Sequence, residues 1–295
     1  METRKIQKTG GSTYTVSLPK EWVEGEIQAG ESIQMEKVNG KISLDLFGEK
    51  EKSQASVVLN APDGIEILKR DIVGLYLNGT QTIRIKDIEN IEEIKKFVRE
   101  VLIGVEITRV ENDSLEIKNL FRSEDLSSRN GLRRMDSTVK SMMDDIESNP
   151  ERVREMEDVL DKYYILLLRQ LVLSQRNLNV GKKLEVEENL KAMDYRLIAK
   201  SIERIGDHLV EISKHEKDYD QGLDKLKPIY GDLSTAIFDS EQKKAENIVK
   251  VLREVNTEDR NIERIRRLML DISNTVINFS IMDSDRVKIL ENKKS

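Results

Sequence analysis

From about Arg122 to Leu290, apolar residues recur every three or four positions with few interruptions, and that period admits little except packed amphipathic helices. The breaks fall near Ser148-Asn149-Pro150, Asn179–Gly181, Tyr219–Gly222 and Asn256-Thr257. Asn149 ahead of Pro150 and Glu151 is a helix start, with the asparagine as cap and the proline in the first turn. Val153, Met156, Leu160, Tyr163, Leu167 and Leu171 form one stripe, and Tyr195, Ile198, Ile202, Ile205, Leu209 and Ile212 form a second. Stripes of this kind are bundle seams.

The residues before Arg122 follow other periods. In Thr13–Leu18 the residues alternate, with Tyr14, Val16 and Leu18 on one face, and Gly10-Gly11 supplies a turn ahead of them. Asn39-Gly40 joins Ile33–Val38 to Lys41–Leu46 as a hairpin. Phe47–Ser56 is a charged connector. Beyond it, Ser56–Leu59 and Thr82–Ile85 read as strands, Asp63–Tyr76 and Ile88–Leu102 as helices, and Val105–Val110 with Leu115–Leu120 as a hairpin. The expected fold class is therefore α+β and multidomain: an N-terminal β domain over 1–50, a small α/β middle domain over 51–120, and an all-α bundle over 121–295.

The chain of 295 residues has no cysteine, which excludes disulfides and thiolate metal sites. No apolar run approaches the ~20 residues that span a bilayer, and Met1–Gly11 has no hydrophobic signal segment, so no membrane insertion and a cytoplasmic location are expected. The net charge of −6 rules out a general polyanion binder; contact with DNA needs a local positive patch. The first twenty residues offer one: Arg4, Lys5, Lys8 and Lys20 stand against Glu2 alone. Ser12, Thr13, Thr15 and Ser17 add hydroxyls able to donate to phosphate oxygens. On charge alone, four scattered cations on a small domain read as a plain solvated surface.

The run Arg4–Trp22, with its basic strand, glycine turn, apolar strand ending in Pro19-Lys20 and the later Gly30-Glu31 turn, resembles the SpoVT/AbrB swapped-hairpin family over about residues 3–47. That resemblance implies a homodimer formed by hairpin exchange, with Arg4, Lys5, Lys8, Ser12, Thr13 and Lys20 on DNA. Two departures from the family bear on DNA contact. The turn lacks the arginine common beside the family's glycine, and Glu21-Trp22-Val23-Glu24 follows where basic residues are usual.

In the helical part, Glu157 with Asp161 and Glu203 with Asp207 are carboxylate pairs one turn apart. Four-residue spacing makes them neighbours, a repulsion of a few tenths of a kcal/mol that a bound cation reverses. Glu203 and Asp207 lie opposite the Ile202/Ile205/Leu209 seam, which points them outward. In a chain with 55 acidic residues such pairs arise by chance, and spacing alone favours reading them as solvated surface. His208, Glu211 and His215 share a flank of the same helix and form a secondary candidate set for zinc or iron.

Ser201–Ile212, with Glu203-Arg204-Ile205-Gly206-Asp207-His208 at its centre, resembles the signature helix of PhoU proteins. The resemblance implies a pair of three-helix repeats, a divalent or ferric metal ion on the Glu-x-x-x-Asp carboxylates, and repression of phosphate uptake together with a phosphate transporter ATPase or its signalling partner. Glu263–Ser273 aligns with the same signature, but Arg267 stands where the first copy has Asp207, and the segment between Gly222 and Asn256 looks short for two full helices. The whole order of features, with Arg70–Gly79 in the middle, resembles an archaeal arrangement of a SpoVT/AbrB head before a PhoU-like tail.

Three functional classes follow. The first is a non-enzymatic, phosphate-responsive transcription regulator that binds DNA through its head. The second is a dimeric adaptor that binds no DNA and docks on a transporter or its partner. The third is a carboxylate-bridged metal enzyme, which the Gly206 at the i+3 position from Glu203 argues against, since Glu-x-x-His is the di-metal pattern.

Overall fold

The computed structural model describes residues 2–25, 27–38, 41–45, 56–121, 126–176, 178–186, 189–214 and 222–281. The chain divides into two compact units, Met1–Ala55 and Ser56–Ser295.

In the first unit, β1 (Gln7–Thr9) and β2 (Thr13–Thr15) pair antiparallel around Gly10-Gly11, with Lys8 opposite Tyr14. Gly10 has φ +70°, a backbone conformation that glycine adopts without strain. The strand is shorter than the alternation over Thr13–Leu18 suggests, because Val16–Pro19 continues past β2 with no pairing partner among the described residues. A single helical turn, α1 (Lys20–Val23), follows Pro19. Then β3 (Gln34–Val38) and β4 (Lys41–Asp45) form a second hairpin. Its turn at Asn39-Gly40 lies outside the described residues, as does the connector from 47 to 55. The two hairpins form separate two-stranded sheets. Their apolar residues are uncovered: Tyr14 is 67% exposed, and Ile6, Val16, Trp22, Met35, Ile42 and Leu44 are exposed with it.

The second unit opens with β5 (Ser56–Asn60), α2 (Ile65–Leu77), β6 (Thr82–Lys86), α3 (Ile91–Val101), β7 (Val105–Val110) and β8 (Leu115–Asn119). The sheet order is β5-β6-β8-β7, parallel between β5 and β6 and antiparallel elsewhere. Each of these elements lies within a few residues of its expected place. Ile83 and Ile85 of β6 and Leu115 and Ile117 of β8 are buried with Leu68, Ile72 and Tyr76 of α2 and Ile94 and Val98 of α3. Facing away from that core, Arg84, Glu116 and Thr108 link across three strands, with Arg84 Nε donating to Glu116 at 2.6 Å and Thr108 Oγ1 at 2.8 Å. Period-two alternation does this: every second residue enters the core and its neighbours make polar cross-strand pairs.

The remaining helices are α4 (Ser128–Asp145), α5 (Pro150–Arg176), the short α6 (Leu178–Lys183), α7 (Asn189–Ser213), α8 (Gly222–Asp239), α9 (Gln242–Glu254) and α10 (Arg260–Ser280). Ser127, Asn149 and Asp259 cap α4, α5 and α10 by accepting from backbone amides in the first turn. Both expected seams are in the core. Val153, Leu160, Leu167 and Leu171 are buried, with Met156 and Tyr163 packed at their margin, and all six residues from Tyr195 to Ile212 in the second stripe are buried. The segment between Gly222 and Asn256 holds two complete helices after all. The break between α8 and α9 is made by Ser240 in the left-handed region, φ +55°, with Glu241 after it. Neither residue is a glycine or proline, so the sequence carries no visible punctuation there. Among the described residues, no helix is long and apolar enough to cross a membrane.

The 27-residue α5 belongs to both cores of the second unit. Ile165 packs against the α/β core. Arg169, buried, donates to the Tyr76 carbonyl and lies 4.7 Å from the centre of the Tyr76 ring. Near the helix end, Arg176 donates to the carbonyl and side-chain oxygens of Asn78 at 2.5 and 2.6 Å. Cations therefore sit at the carbonyl-rich end of α2, where the helix dipole favours them.

Candidate functional site

α5 and α7 pack side by side, and acids of both helices lie near enough along the seam to feel one another's charge. Gly206 sits within the Glu203–Asp207 turn, and a Cβ built on it would collide with Leu160 Cδ2 and reach 3.7 Å from Met142 Cε. Leu160 in turn lies between Glu157 and Asp161. The glycine lets the helices approach at the level where both carry acids, so Glu157 and Asp161 from α5 share one groove with Glu203 and Asp207 from α7.

The electrostatics follow from that placement. Burial raises the Asp161 carboxyl to about 7, and Glu157, Glu203 and Asp207 add to the shift as like charges. Burial also raises Glu157, with Asp207 the strongest of its negative neighbours. Glu203 is raised by burial and opposed by its hydrogen bond from Lys200. Its side chain is only 13% exposed, so the expectation that it points outward is corrected. A helical wheel locates Glu203 relative to the seam of its own helix but not relative to α5, which the glycine admits close enough to cover it. Asp207 is exposed as expected.

Lys200 holds both Glu203 oxygens, at 2.8 and 2.7 Å, and its ammonium lies 5.2 Å from the centre of the Tyr164 ring on α5. Sequence reasoning passed over Lys200 and Tyr164. The i, i+3 spacing of Lys200 and Glu203 was the available signal for the first; the second comes only from the neighbouring helix.

The carboxylate donors suit an oxygen-seeking cation such as a divalent ion. Among the described residues, no three histidine, aspartate or glutamate side chains stand close enough to share one ion. In the secondary histidine set, the two described members, His208 and Glu211, have different surroundings. His208 is 8% exposed and packs toward α10, where burial and the nearby Arg264 push its pKa below the usual histidine value. Glu211 is exposed and paired with Lys214 at 2.6 Å, and His215 lies outside the described residues.

The equivalent place on α10 is built differently. Glu263, aligned with Glu203, accepts from Arg266 Nε at 2.7 Å and from Arg267 Nε at 2.8 Å, and these partners hold its pKa down at about 2. Arg267, in the position of Asp207, replaces the second acid with a counter-charge.

In the first unit, Arg4, Lys5, Lys8, Ser12, Thr13 and Lys20 are all exposed. Two of the four cations already have partners: Arg4 pairs with Glu2 at 2.8 Å and Lys20 with Glu24 at 3.0 Å. Lys5 and Lys8 have no carboxylate partner among the described residues. Thr15 shares its hydroxyl with Thr9 across the hairpin at 3.0 Å.

Residues 132–215 match the family model of the PhoU domain. The matched segment takes in α4 from Leu132 onward, α5, α6 and α7, and with them all four carboxylates of the groove. The PhoU-like part is thus the run of α4, α5, the short α6 and α7 that carries the acids, while α10 with its arginine-neutralised Glu263 lies beyond it. No curated protein and no solved structure matches the chain.

Proposed function

We propose that this chain is a cytoplasmic, non-enzymatic regulator of phosphate uptake that contributes to phosphate homeostasis by repressing transport when phosphate is plentiful. The observation that carries the reading is the PhoU domain match over residues 132–215, centred on a groove whose acids repel one another in the absence of a cation. A divalent or ferric ion drawn to Glu157, Asp161, Glu203 and Asp207 would neutralise that repulsion, and these side chains would have to close up around it to hold it. The chemistry it supplies is charge neutralisation, and no catalytic step is assigned to it.

The first unit is then a SpoVT/AbrB-like dimerisation head. Two short hairpins with Tyr14, Val16, Met35, Ile42 and Leu44 in solvent leave apolar surface that a second copy of the chain would cover. With Arg4, Lys5, Lys8, Ser12, Thr13 and Lys20 on phosphates, the dimer binds operator DNA of phosphate-uptake genes. The test is salt-dependent DNA binding by the full chain beside a variant with Arg4, Lys5, Lys8 and Lys20 changed to Ala. A regulator loses affinity linearly in log salt, and the variant's slope is shallower by about one unit for each phosphate contact removed. Indifference of the wild type to all DNA at low salt excludes the transcription reading.

The second reading is an adaptor whose head only dimerises and whose bundle docks on a phosphate transporter ATPase or its signalling partner. The Arg4–Glu2 and Lys20–Glu24 pairs favour it, because half of the cations meant for phosphate already face acids. Co-purification with the transporter subunit, with no retention on DNA, is its signature.

A further inference from the structure

We infer that two copies of this chain join their α/β sheets edge to edge, β5 of one copy pairing antiparallel with β5 of the other about a two-fold axis at Val58. The inference rests on the homodimer proposed above and adds a contact to it. The sheet order β5-β6-β8-β7 leaves two outer strands, and among the described residues neither has a neighbour on its outer side. The two edges are built differently. β7 carries Glu106 and Arg109 and shifts register between Ile107 and Arg109, and charge together with a bulge keeps an edge from pairing. β5 reads Ser-Val-Val-Leu-Asn, with no charge, no proline and an unbroken register to β6. Such an edge is a template for another strand.

The sequence of β5 says which strand fits. An antiparallel pair centred on Val58 sets Val58 against Val58, Val57 against Leu59 and Ser56 against Asn60 of the second copy. Apolar residues meet apolar ones, polar residues meet polar ones, and no like charges are opposed. A two-fold contact requires this self-complementarity, since one patch must serve both sides. Val58 is 57% exposed, and Val57 and Leu59 are half-buried where Ile83 and Ile85, one strand further in, are buried. The pairing therefore covers apolar surface on both faces of the sheet. Arg84, beside Val58 on β6, is already neutralised by Glu116 and brings no unbalanced charge to the axis. A contact of five residues a side is small for a stable interface, but copies joined at the head meet it at high effective concentration.

The absence of cysteine from the chain makes the test direct. Val58→Cys, Val110→Cys, Ser56→Cys and Ser56→Cys/Asn60→Cys are made in the full-length protein, and disulfide-linked dimer is followed under mild oxidation. Val110, on the β7 edge and 48% exposed, is the control for chance collision. Residues directly opposite in an antiparallel pair have Cβ atoms about 4.5–5.5 Å apart, close enough for a disulfide to form with a small adjustment. Val58→Cys is expected to link at least about tenfold faster than Val110→Cys. Ser56→Cys alone stays near the control, and adding Asn60→Cys brings it up to the rate of Val58→Cys, which fixes the register. A nitroxide attached to Val58→Cys gives a second readout that disulfide geometry does not limit: dipolar broadening between the two labels of a dimer, absent for Val110→Cys. If the wild type sediments as a dimer while Val58→Cys neither links faster than Val110→Cys nor shows broadening, the inference is overturned and the homodimer stands. If the wild type sediments as a monomer and Val58→Cys behaves as Val110→Cys does, the homodimer falls and takes this inference with it.

Discussion

Gly206 of α7 and Leu160 of α5 are in direct register: the space a Cβ would need on the glycine is already filled by Leu160 Cδ2. Gly206→Ala should gain helix propensity worth about 1 kcal/mol. Against this stands overpacking in a close-packed seam, a loss of about 1–3 kcal/mol. The second term wins because Leu160 is fully buried and Met142 stands behind the glycine, which leaves nowhere to retreat. The expected result is a net loss of about 1–2 kcal/mol in urea unfolding. Combined with Leu160→Ala, the glycine substitution should cost less than it does alone, and simple additivity of the two would show that the contact does not limit the helix approach.

Asp161 gives the groove a pH signature. Its carboxyl is raised from the ordinary 3.8 to about 7 in the folded chain, so folding favours the protonated form. Below pH 3.8 both folded and unfolded states are protonated and the contribution is fully present. Between about pH 4 and 7 the unfolded chain ionises first, and stability falls as pH rises until the folded group has titrated too. Asp161→Asn removes this dependence and should stabilise the metal-free protein above pH 7, by about 1–2 kcal/mol once solvent screening of a partly exposed group is allowed for. A pH series of melts that runs parallel for the two proteins would contradict the assignment.

What the sequence made legible, and what it did not, follows from the range of each interaction. Alternation over Val57–Leu59 and Ile83–Ile85 and the helical stripes at Val153–Leu171 and Tyr195–Ile212 are local patterns, and the elements they announce are where they should be. Glu157/Asp161 and Glu203/Asp207 are likewise legible as pairs, because the members of each pair lie one turn apart on one helix. That the two pairs share a groove depends on Gly206 meeting Leu160, a contact between residues 46 positions apart. The burial of Glu203 and the approach of Tyr164 to Lys200 belong to the same class of fact. Ser240 escapes for another reason: a serine in the left-handed region is not signalled by its residue type.

Arg169 ties the bundle to the α/β core without a carboxylate partner among the described residues. Its guanidinium instead meets the Tyr76 carbonyl and ring, and burial lowers its pKa. Arg169→Ala removes a buried side chain and its hydrogen bond together and should cost about 2–4 kcal/mol. Arg169→Met keeps the volume and removes a desolvated charge, and should cost less than half as much. Urea melts of both variants decide the point, and equal losses would mean that the charge, not the packing, holds α5 to α2.

The exposed apolar residues of the hairpins make the oligomeric state testable apart from DNA. Tyr14 lies opposite Lys8 on β2, and Met35 lies opposite Leu44 across β3 and β4, all with their side chains in solvent within one chain. Tyr14→Asp with Met35→Asp places two charges on that surface. Sedimentation should show the wild type as a dimer at micromolar concentration and the double variant shifted to monomer by at least about tenfold in dissociation constant, the equivalent of 1.4 kcal/mol. An unshifted variant would place the contact between copies elsewhere.

The two signature glutamates predict opposite behaviour toward cations. Glu203 is held by one lysine among three further acids, whereas Glu263 is neutralised by Arg266 and Arg267 and sits at about pKa 2. Glu203→Gln should weaken Mn2+ binding by at least about tenfold, since a ligating charge is lost from a groove with few donors. Glu263→Gln should leave Mn2+ affinity within about twofold of the wild type, because that carboxylate offers an incoming ion no unbalanced charge. Its effect belongs to stability instead. A depressed carboxylate stabilises above its unfolded pKa and loses that contribution only as pH falls toward 2, so melts at pH 7 should drop for Glu263→Gln while melts near pH 2 converge with the wild type. Were Glu263→Gln to weaken Mn2+ as much as Glu203→Gln does, the arginines would not be closing the α10 position, and both repeats would have to be counted as cation sites.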